Sequence, residues 1–121
     1  MASLSVEELR GIIARRVAAY VDQHQNQPGY KVAPPQLLEA MIDLETGGTL
    51  DPNFVDPISG AIGLGNIMPA GYEWGVYKAN NPSATESSLS DPNVNIDVMI
   101  EGLAARQSSG QMARDRGQSG A

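Results

Sequence analysis

Three stretches of the chain repeat apolar residues at helical spacing, and this periodicity is the feature that most constrains the fold. The first stretch covers about 5–24 and opens with a capping box formed by Ser5 and Glu8. The second begins at Pro35, and the third covers about 91–106. Proline suits the first position of a helix because its fixed backbone angle is already helical. The sequence therefore predicts a mainly α fold.

A turn-rich segment separates the second helix from the third. Residues 49–65 are dense in Asp, Pro, Asn, Ser and Gly, which is typical of irregular backbone. The stretch GAIGLGNIMP holds too many glycines for a long helix, so we expect a short β segment within it, and Pro69 can begin a further short helix. We predict a single domain over 1–107 and a flexible tail over 108–121, because the tail has little to bury.

The composition argues against several classes of function. The 14 acidic residues outnumber the 8 basic ones and give a formal charge of -6, so we expect no nucleic-acid partner. No apolar run approaches the roughly 20 residues of a membrane span, and the first residues lack the pattern of a secretory signal peptide. The chain has no cysteine, and His24 is its one histidine, in polar surroundings, so we expect no metal site.

Glu45 stands in line with the apolar face of the second predicted helix, which Leu38, Met41 and Ile42 define. Gly47 follows as a helix stop, so Glu45 lies in the last turn. Unpaired carbonyls and partial burial would both disfavour an ionised carboxylate there, and we expect the acid to stay protonated near neutral pH. Such an acid can protonate a glycosidic oxygen.

A plainer interpretation of Glu45 is also open. The side chain can turn outward to solvent, or it can accept hydrogen bonds from the backbone of the glycine pair 47–48. Helical periodicity alone favours this second interpretation slightly, because a single glutamate at a helix end is a weak signal.

The segment after Glu45 carries a more specific pattern. The stretches LETGGTLDPNFVDPISGAIGLGNIMP and DPNVNIDVMIEGL together resemble the lytic transglycosylase domain of the lysozyme-like superfamily. That family has a helix-terminal Glu followed by Ser or Thr, an N-x-V-x-P loop with a G-A, a G-L-M-Q-I-x-P segment and a D-P-x-x-N-I helix. The resemblance covers about 35–106, and the matching positions are Glu45, Thr46, Asn53, Val55, Pro57, Gly60, Ala61, the segment 63–69, Asp91, Pro92, Asn95 and Ile96.

The resemblance implies an α+β lysozyme-like fold whose glycine-rich loop or short β segment forms a glycan cleft. It also implies cleavage of the β-1,4 bond between N-acetylmuramic acid and N-acetylglucosamine in peptidoglycan, without a metal or organic cofactor. Glu45 would protonate the leaving oxygen and then take the proton of the muramoyl C6 hydroxyl as it attacks C1, which yields a 1,6-anhydro product. Asp51 or Asp56 could instead assist ordinary hydrolysis, although both read more simply as turn residues.

The substrate would lie against small residues and backbone groups of the stretch SGAIGLGN, although a plain tight turn would explain the same glycines. Among the aromatic residues, Trp74 is expected in the core, whereas Tyr72 suits either the core or a sugar face. The expected substrate-binding residues are Thr46, Ser59, Gly60, Leu64, Gly65, Asn66 and Tyr72.

The chain departs from the family pattern at three places. Asn66 stands where the family usually has Gln, and Gly65 stands where it has Met. The later A-Y-N-x-G motif has no counterpart. The chain can therefore be a compact active enzyme, a domain completed by a partner, or a glycan-binding or structural module without catalysis.

The setting expected for such a protein is the bacterial cell wall or periplasm, with peptidoglycan strands as its partner. The missing signal-peptide pattern favours a bacteriophage protein, carried in a virion or released through a holin, or a bacterial protein exported by a specialised secretion assembly.

Overall fold

The structure is a computed structural model that describes residues 3–26 and 32–120, with side chains up to residue 107. It is mainly helical, as the apolar periodicity predicts. In chain order its elements are α1 (Val6–His24), α2 (Pro35–Thr46), α3 (Tyr72–Asn80), a short 3-10 helix (Glu86–Ser90) and α4 (Pro92–Gly120).

The helix ends follow the local sequence signals. The Ser5 hydroxyl accepts a hydrogen bond from the Glu8 backbone N–H, and the Glu8 carboxylate accepts one from the Ser5 N–H, so the predicted capping box is present. Pro35 opens α2, and Gly47 ends it in the left-handed conformation with φ 62°. These local signals therefore fix both ends of α2.

One apolar core joins the helices. The apolar faces of α1, α2 and α4 meet in it, together with Trp74 of α3, Leu89 of the 3-10 helix, and three residues between α2 and α3, which are Leu50, Leu64 and Ile67. The largest of its fully buried apolar side chains are Leu9, Ile13, Leu38, Ile42, Leu64, Leu89, Ile96 and Ile100. Arg16 and Asp97 form a bidentate ion pair beside this core, with N–O distances of 2.7 and 2.9 Å, and so tie α1 to α4.

The expected β segment is reduced to two isolated antiparallel bridges, which pair Val55 with Ile62 and Ile62 with Ile67. The short helix expected from Pro69 begins at Tyr72, because Gly71 is still extended. α4 continues to Gly120, beyond the predicted end near residue 106. The side chains of the expected flexible tail, 108–121, lie outside the described part of the chain, so its flexibility stays a prediction.

Over the residues that the structure describes, no helix combines the length and the apolar character that crossing a bilayer would require.

Candidate active site

Glu45 lies in the last turn of α2 with its side chain exposed, so the expected partial burial is wrong. Thr46 takes the buried position instead, four residues after Ile42 on the face that enters the core. The Thr46 hydroxyl donates to the Ile42 carbonyl at 2.8 Å, and the Leu50 backbone N–H approaches it at 3.4 Å. The structure therefore gives Thr46 a role in holding the end of α2, whereas Glu45 faces outward.

Asn66 is the residue that the fold brings to Glu45. Its Nδ2 donates to the Glu45 Oε2 at 3.2 Å, across 21 positions of sequence. Asn66 adopts a left-handed backbone conformation with φ 52°, which asparagine tolerates better than most residues. Its Oδ1 is buried and has no hydrogen-bond partner among the described residues. Two expected site residues thus lie together, joined by a polar contact.

A four-residue loop, 63–66, presents Asn66. The backbone groups of Ile62 and Ile67 exchange hydrogen bonds of 2.9 and 3.0 Å on either side of it. Within the loop, the Asn66 N–H donates to the Gly63 carbonyl at 3.0 Å. The loop is thus a closed hairpin turn, which we call the Asn66 loop.

Asn95 in α4 fixes the Asn66 loop by hydrogen bonds between its side chain and backbone groups. Its fully buried side chain accepts from the Gly65 N–H at 2.7 Å and donates to the carbonyls of Ile62 and Leu89, each at 2.9 Å. Asn95 belongs to the D-P-x-x-N-I motif of the sequence, but the motif did not predict this role. The available signal was an asparagine between Val94 and Ile96, on the apolar face of a helix that must be buried.

The glycines of the Asn66 loop face α4. A Cβ on Gly63 would collide with the Asn95 side chain of α4 and would lie 2.7 Å from the Leu89 carbonyl oxygen of the 3-10 helix. A Cβ on Gly65 would lie 2.7 Å from the Met99 side chain of α4. Leu64 is 0% exposed and belongs to the core, which corrects its expected place on the surface of a glycan cleft. These glycines therefore allow close packing on α4. They also lie in a tight turn, which is the plainer interpretation of their sequence pattern.

Ser59 and Gly60 lie in the exposed turn before the Asn66 loop. The Ser59 hydroxyl accepts from the Ala61 N–H at 3.2 Å. Gly60 has φ 77°, and a Cβ there would meet nothing within 4 Å. The space beside Gly60 is therefore open, as a substrate contact would require.

Tyr72 is 43% exposed at the start of α3. The Arg106 guanidinium lies over its ring at 4.4 Å from the centroid and also donates to the Glu73 carboxylate. The Arg106 guanidinium therefore covers one face of the Tyr72 ring, and a sugar could stack only on the other face. Trp74, at 6% exposed, is in the core as predicted.

Asp51 and Asp56 act as turn residues. The Asp51 Oδ1 accepts from the Asn53 N–H at 2.9 Å. The Asp56 Oδ1 accepts from the N–H groups of Ile58 and Ser59 at 2.8 and 3.1 Å, and these bonds lower the pKa of Asp56. The simpler of the two sequence interpretations is thus confirmed for both residues.

The described side chains include no group of three His, Asp or Glu residues placed to hold a metal ion. No protein-family model matches the chain, and a search of curated proteins finds no match. The contact between Glu45 and Asn66 offers the chemistry of an exposed carboxyl group beside an amide donor.

Proposed function

We propose that the chain is a peptidoglycan lytic transglycosylase with Glu45 as its general acid and base. The observation that carries the proposal is the Glu45–Asn66 hydrogen bond. The sequence resemblance assigns these two residues to one site from separate motifs, and the fold joins them. The isolated bridges beside the Asn66 loop also agree with a lysozyme-like arrangement of helices and a small β region.

The proposed reaction uses one carboxyl group twice. Glu45 gives its proton to the glycosidic oxygen, and the resulting carboxylate accepts the proton of the muramoyl C6 hydroxyl while that oxygen bonds to C1. The nucleophile belongs to the substrate, so no second carboxylate is needed. Since Glu45 is exposed, the glycan strand itself must cover it and exclude water. Asn66 then orients the carboxyl group.

The alternative is a glycan-binding or structural module of the same shape without catalysis. The exposure of Glu45 and the packing of Gly63 and Gly65 on α4 favour this alternative. Ordinary hydrolysis is a weaker candidate, because the Oδ1 atoms of Asp51 and Asp56 already accept backbone N–H groups.

Mass spectrometry of the products from purified peptidoglycan tests these functions together. We expect the wild type to release muropeptides with 1,6-anhydro ends and Glu45→Gln to release none. Asp43→Asn, which removes a carboxylate two residues earlier on α2, is the matched control and should keep full activity. Reducing muramic acid ends would indicate hydrolysis, whereas binding to sacculi without any release would identify the non-catalytic module.

We further propose that the protein works within a larger assembly, in a virion or a secretion apparatus. The turn-rich segment after α2 exposes large apolar side chains, with Ile58 95% and Val55 53% exposed. The acidic chain gains no long-range attraction to an anionic wall, so attachment would supply the local concentration. Detection of the protein in purified phage particles would support the virion version, and its absence there would contradict it.

A further inference from the structure

A polar cavity of about 230 Å³ lies where α1, α3 and α4 meet, and we call it the junction cavity. It is smaller than the roughly 300–1,000 Å³ of sites for drug-sized ligands, so it suits a small molecule. Seven of its eight lining residues have polar side chains, and its charged side chains are Arg16, Asp97 and Glu101.

The charges in the junction cavity do not balance. Arg16 and Asp97 neutralise each other through their bidentate contact. Glu101 accepts a hydrogen bond of 3.1 Å from Asn80, which is a neutral amide. No ion pair within 4 Å involves Glu101 among the described side chains. The excess negative charge of the cavity wall therefore belongs to Glu101.

Burial makes this charge costly for the protein alone. Loss of solvent and the charge of Asp97 raise the pKa of Glu101, whereas the Asn80 and Asn81 amides and the charge of His24 lower it, and loss of solvent is the largest of these effects. Burial also raises the pKa of Asp97 against the effect of Arg16. A cation beside Glu101 would offset the cost of the buried carboxylate.

Aromatic rings also attract organic cations, and both Tyr20 and Tyr77 line the cavity. Each ring already has one stacked partner, which is His24 for Tyr20 and Trp74 for Tyr77, so only the opposite face of each ring could receive a cation.

We propose that the junction cavity binds a small organic cation whose ammonium group is received by the Glu101 carboxylate. The amides of Gln23 and Asn81 line the same cavity and suit a second, uncharged polar group on the ligand. This site is separate from Glu45, and the proposal does not depend on the transglycosylase activity.

A matched pair of probes tests the charge requirement. 4-Aminobutan-1-ol carries one ammonium group, and 1,4-butanediol has the same length without the charge. We expect the amino alcohol to shift the backbone amide signals of Tyr77, Asn81 and Glu101 in two-dimensional NMR titrations. The diol should bind about tenfold more weakly or not at all, since a hydrogen bond to a charged group is worth more than a neutral one.

Three variants complete the experiment. Glu101→Gln should weaken binding of the amino alcohol about tenfold while keeping the shape of the side chain. Glu86→Gln, at an exposed position in the first turn of the 3-10 helix, and Glu45→Gln should bind it as the wild type does. Equal binding of the two probes, full binding by Glu101→Gln, or the absence of shifts at the junction cavity would each overturn the proposal.

Discussion

The side chains of Glu45 and Asn66 are joined by a single hydrogen bond from an amide to a carboxylate oxygen. Residue 66 must meet two requirements in this contact: its backbone must be left-handed, and its side chain must reach α2. Glycine would meet only the first requirement, because it adopts positive φ freely but carries no amide. A glycine at position 66 therefore removes the contact of the side chain with Glu45 and keeps the backbone conformation.

Asn66→Gly should therefore leave the fold almost unchanged and lower activity. We expect the free energy of unfolding to stay within about 1 kcal/mol of wild type, since glycine suits φ 52°. If Asn66 orients Glu45, release of anhydro-muropeptides should fall about tenfold, the usual scale for losing one positioning hydrogen bond. Ser83→Ala, at an exposed position outside the motifs of the resemblance, serves as the control, and unchanged release by Asn66→Gly would refute the positioning role.

At the scale of elements, α4 supports the Asn66 loop through one buried side chain. Asn95 satisfies three backbone groups that belong to the loop, its flanking bridge residue and the 3-10 helix. A buried polar group is tolerated only when its hydrogen bonds are made, and Asn95 makes them at 2.7–2.9 Å. The same bonds leave the loop few alternative positions on α4.

Asn95→Ala should destabilise the fold by about 3 kcal/mol, because it leaves buried backbone groups unpaired and opens a cavity. Urea unfolding followed by circular dichroism measures this change. Asn93→Ala, two residues earlier in the first turn of α4, should change stability by only about 0.5 kcal/mol. Equal effects of the two substitutions would show that the buried contacts of Asn95 contribute little.

A pair of glycine substitutions tests the packing of the Asn66 loop on α4. Gly63→Ala should destabilise by about 2 kcal/mol or more, because Gly63 has φ 76° and a Cβ there would crowd the Leu89 carbonyl and the Asn95 amide. Gly75→Ala, in α3, should stabilise by about 0.5–1 kcal/mol, since a Cβ there meets nothing within 4 Å. Thermal unfolding would detect both the loss and the gain of stability. An unchanged stability of Gly63→Ala would argue against the close contact of Gly63 with Leu89 and Asn95.

At the scale of the whole molecule, ionisable groups lie between the packed helices. Glu101 of α4 is half buried, and the groups that act on its carboxylate are Asp97 from α4, His24 from α1 and the amides of Asn80 and Asn81. Desolvation is the largest of these effects, and it raises the pKa of Glu101 above its ordinary value of 4.5. The native state therefore holds this proton more tightly than the unfolded chain does.

The stability that Glu101 contributes is thus fully present below its unfolded pKa and is lost as the pH rises through the higher native pKa. The glutamine side chain of the Glu101→Gln variant cannot ionise, so this variant should become more stable relative to wild type as the pH rises from the pKa of an unfolded glutamate, about 4.3, through the higher native pKa. Urea unfolding across this range gives the comparison, with Glu86→Gln as the reference for an exposed glutamate. If the free energies of unfolding of Glu101→Gln and wild type differed by the same amount at every pH, the raised pKa of Glu101 would be contradicted.

Local signals predicted a large part of the fold. The capping box at Ser5, Pro35 at the start of α2 and the left-handed Gly47 at its end act through contacts within a few residues, so the sequence contains all their partners. The turn role of Asp56 was foreseeable for the same reason. The predicted end of α4 near residue 106 is wrong, because no comparable stop signal lies there and the helix continues to Gly120.

The sequence by itself determined the helical periodicity, the helix ends and the turn chemistry, since each depends on near neighbours. Only the tertiary structure decided that Thr46 enters the core while Glu45 faces outward, because adjacent helical residues point about 100° apart and the packing of α2 selects between them. It also decided that Gly63 and Gly65 face α4 and that Asn66 reaches Glu45. These arrangements depend on partners 21 to 34 positions away along the chain, and such pairings appear only when the core closes.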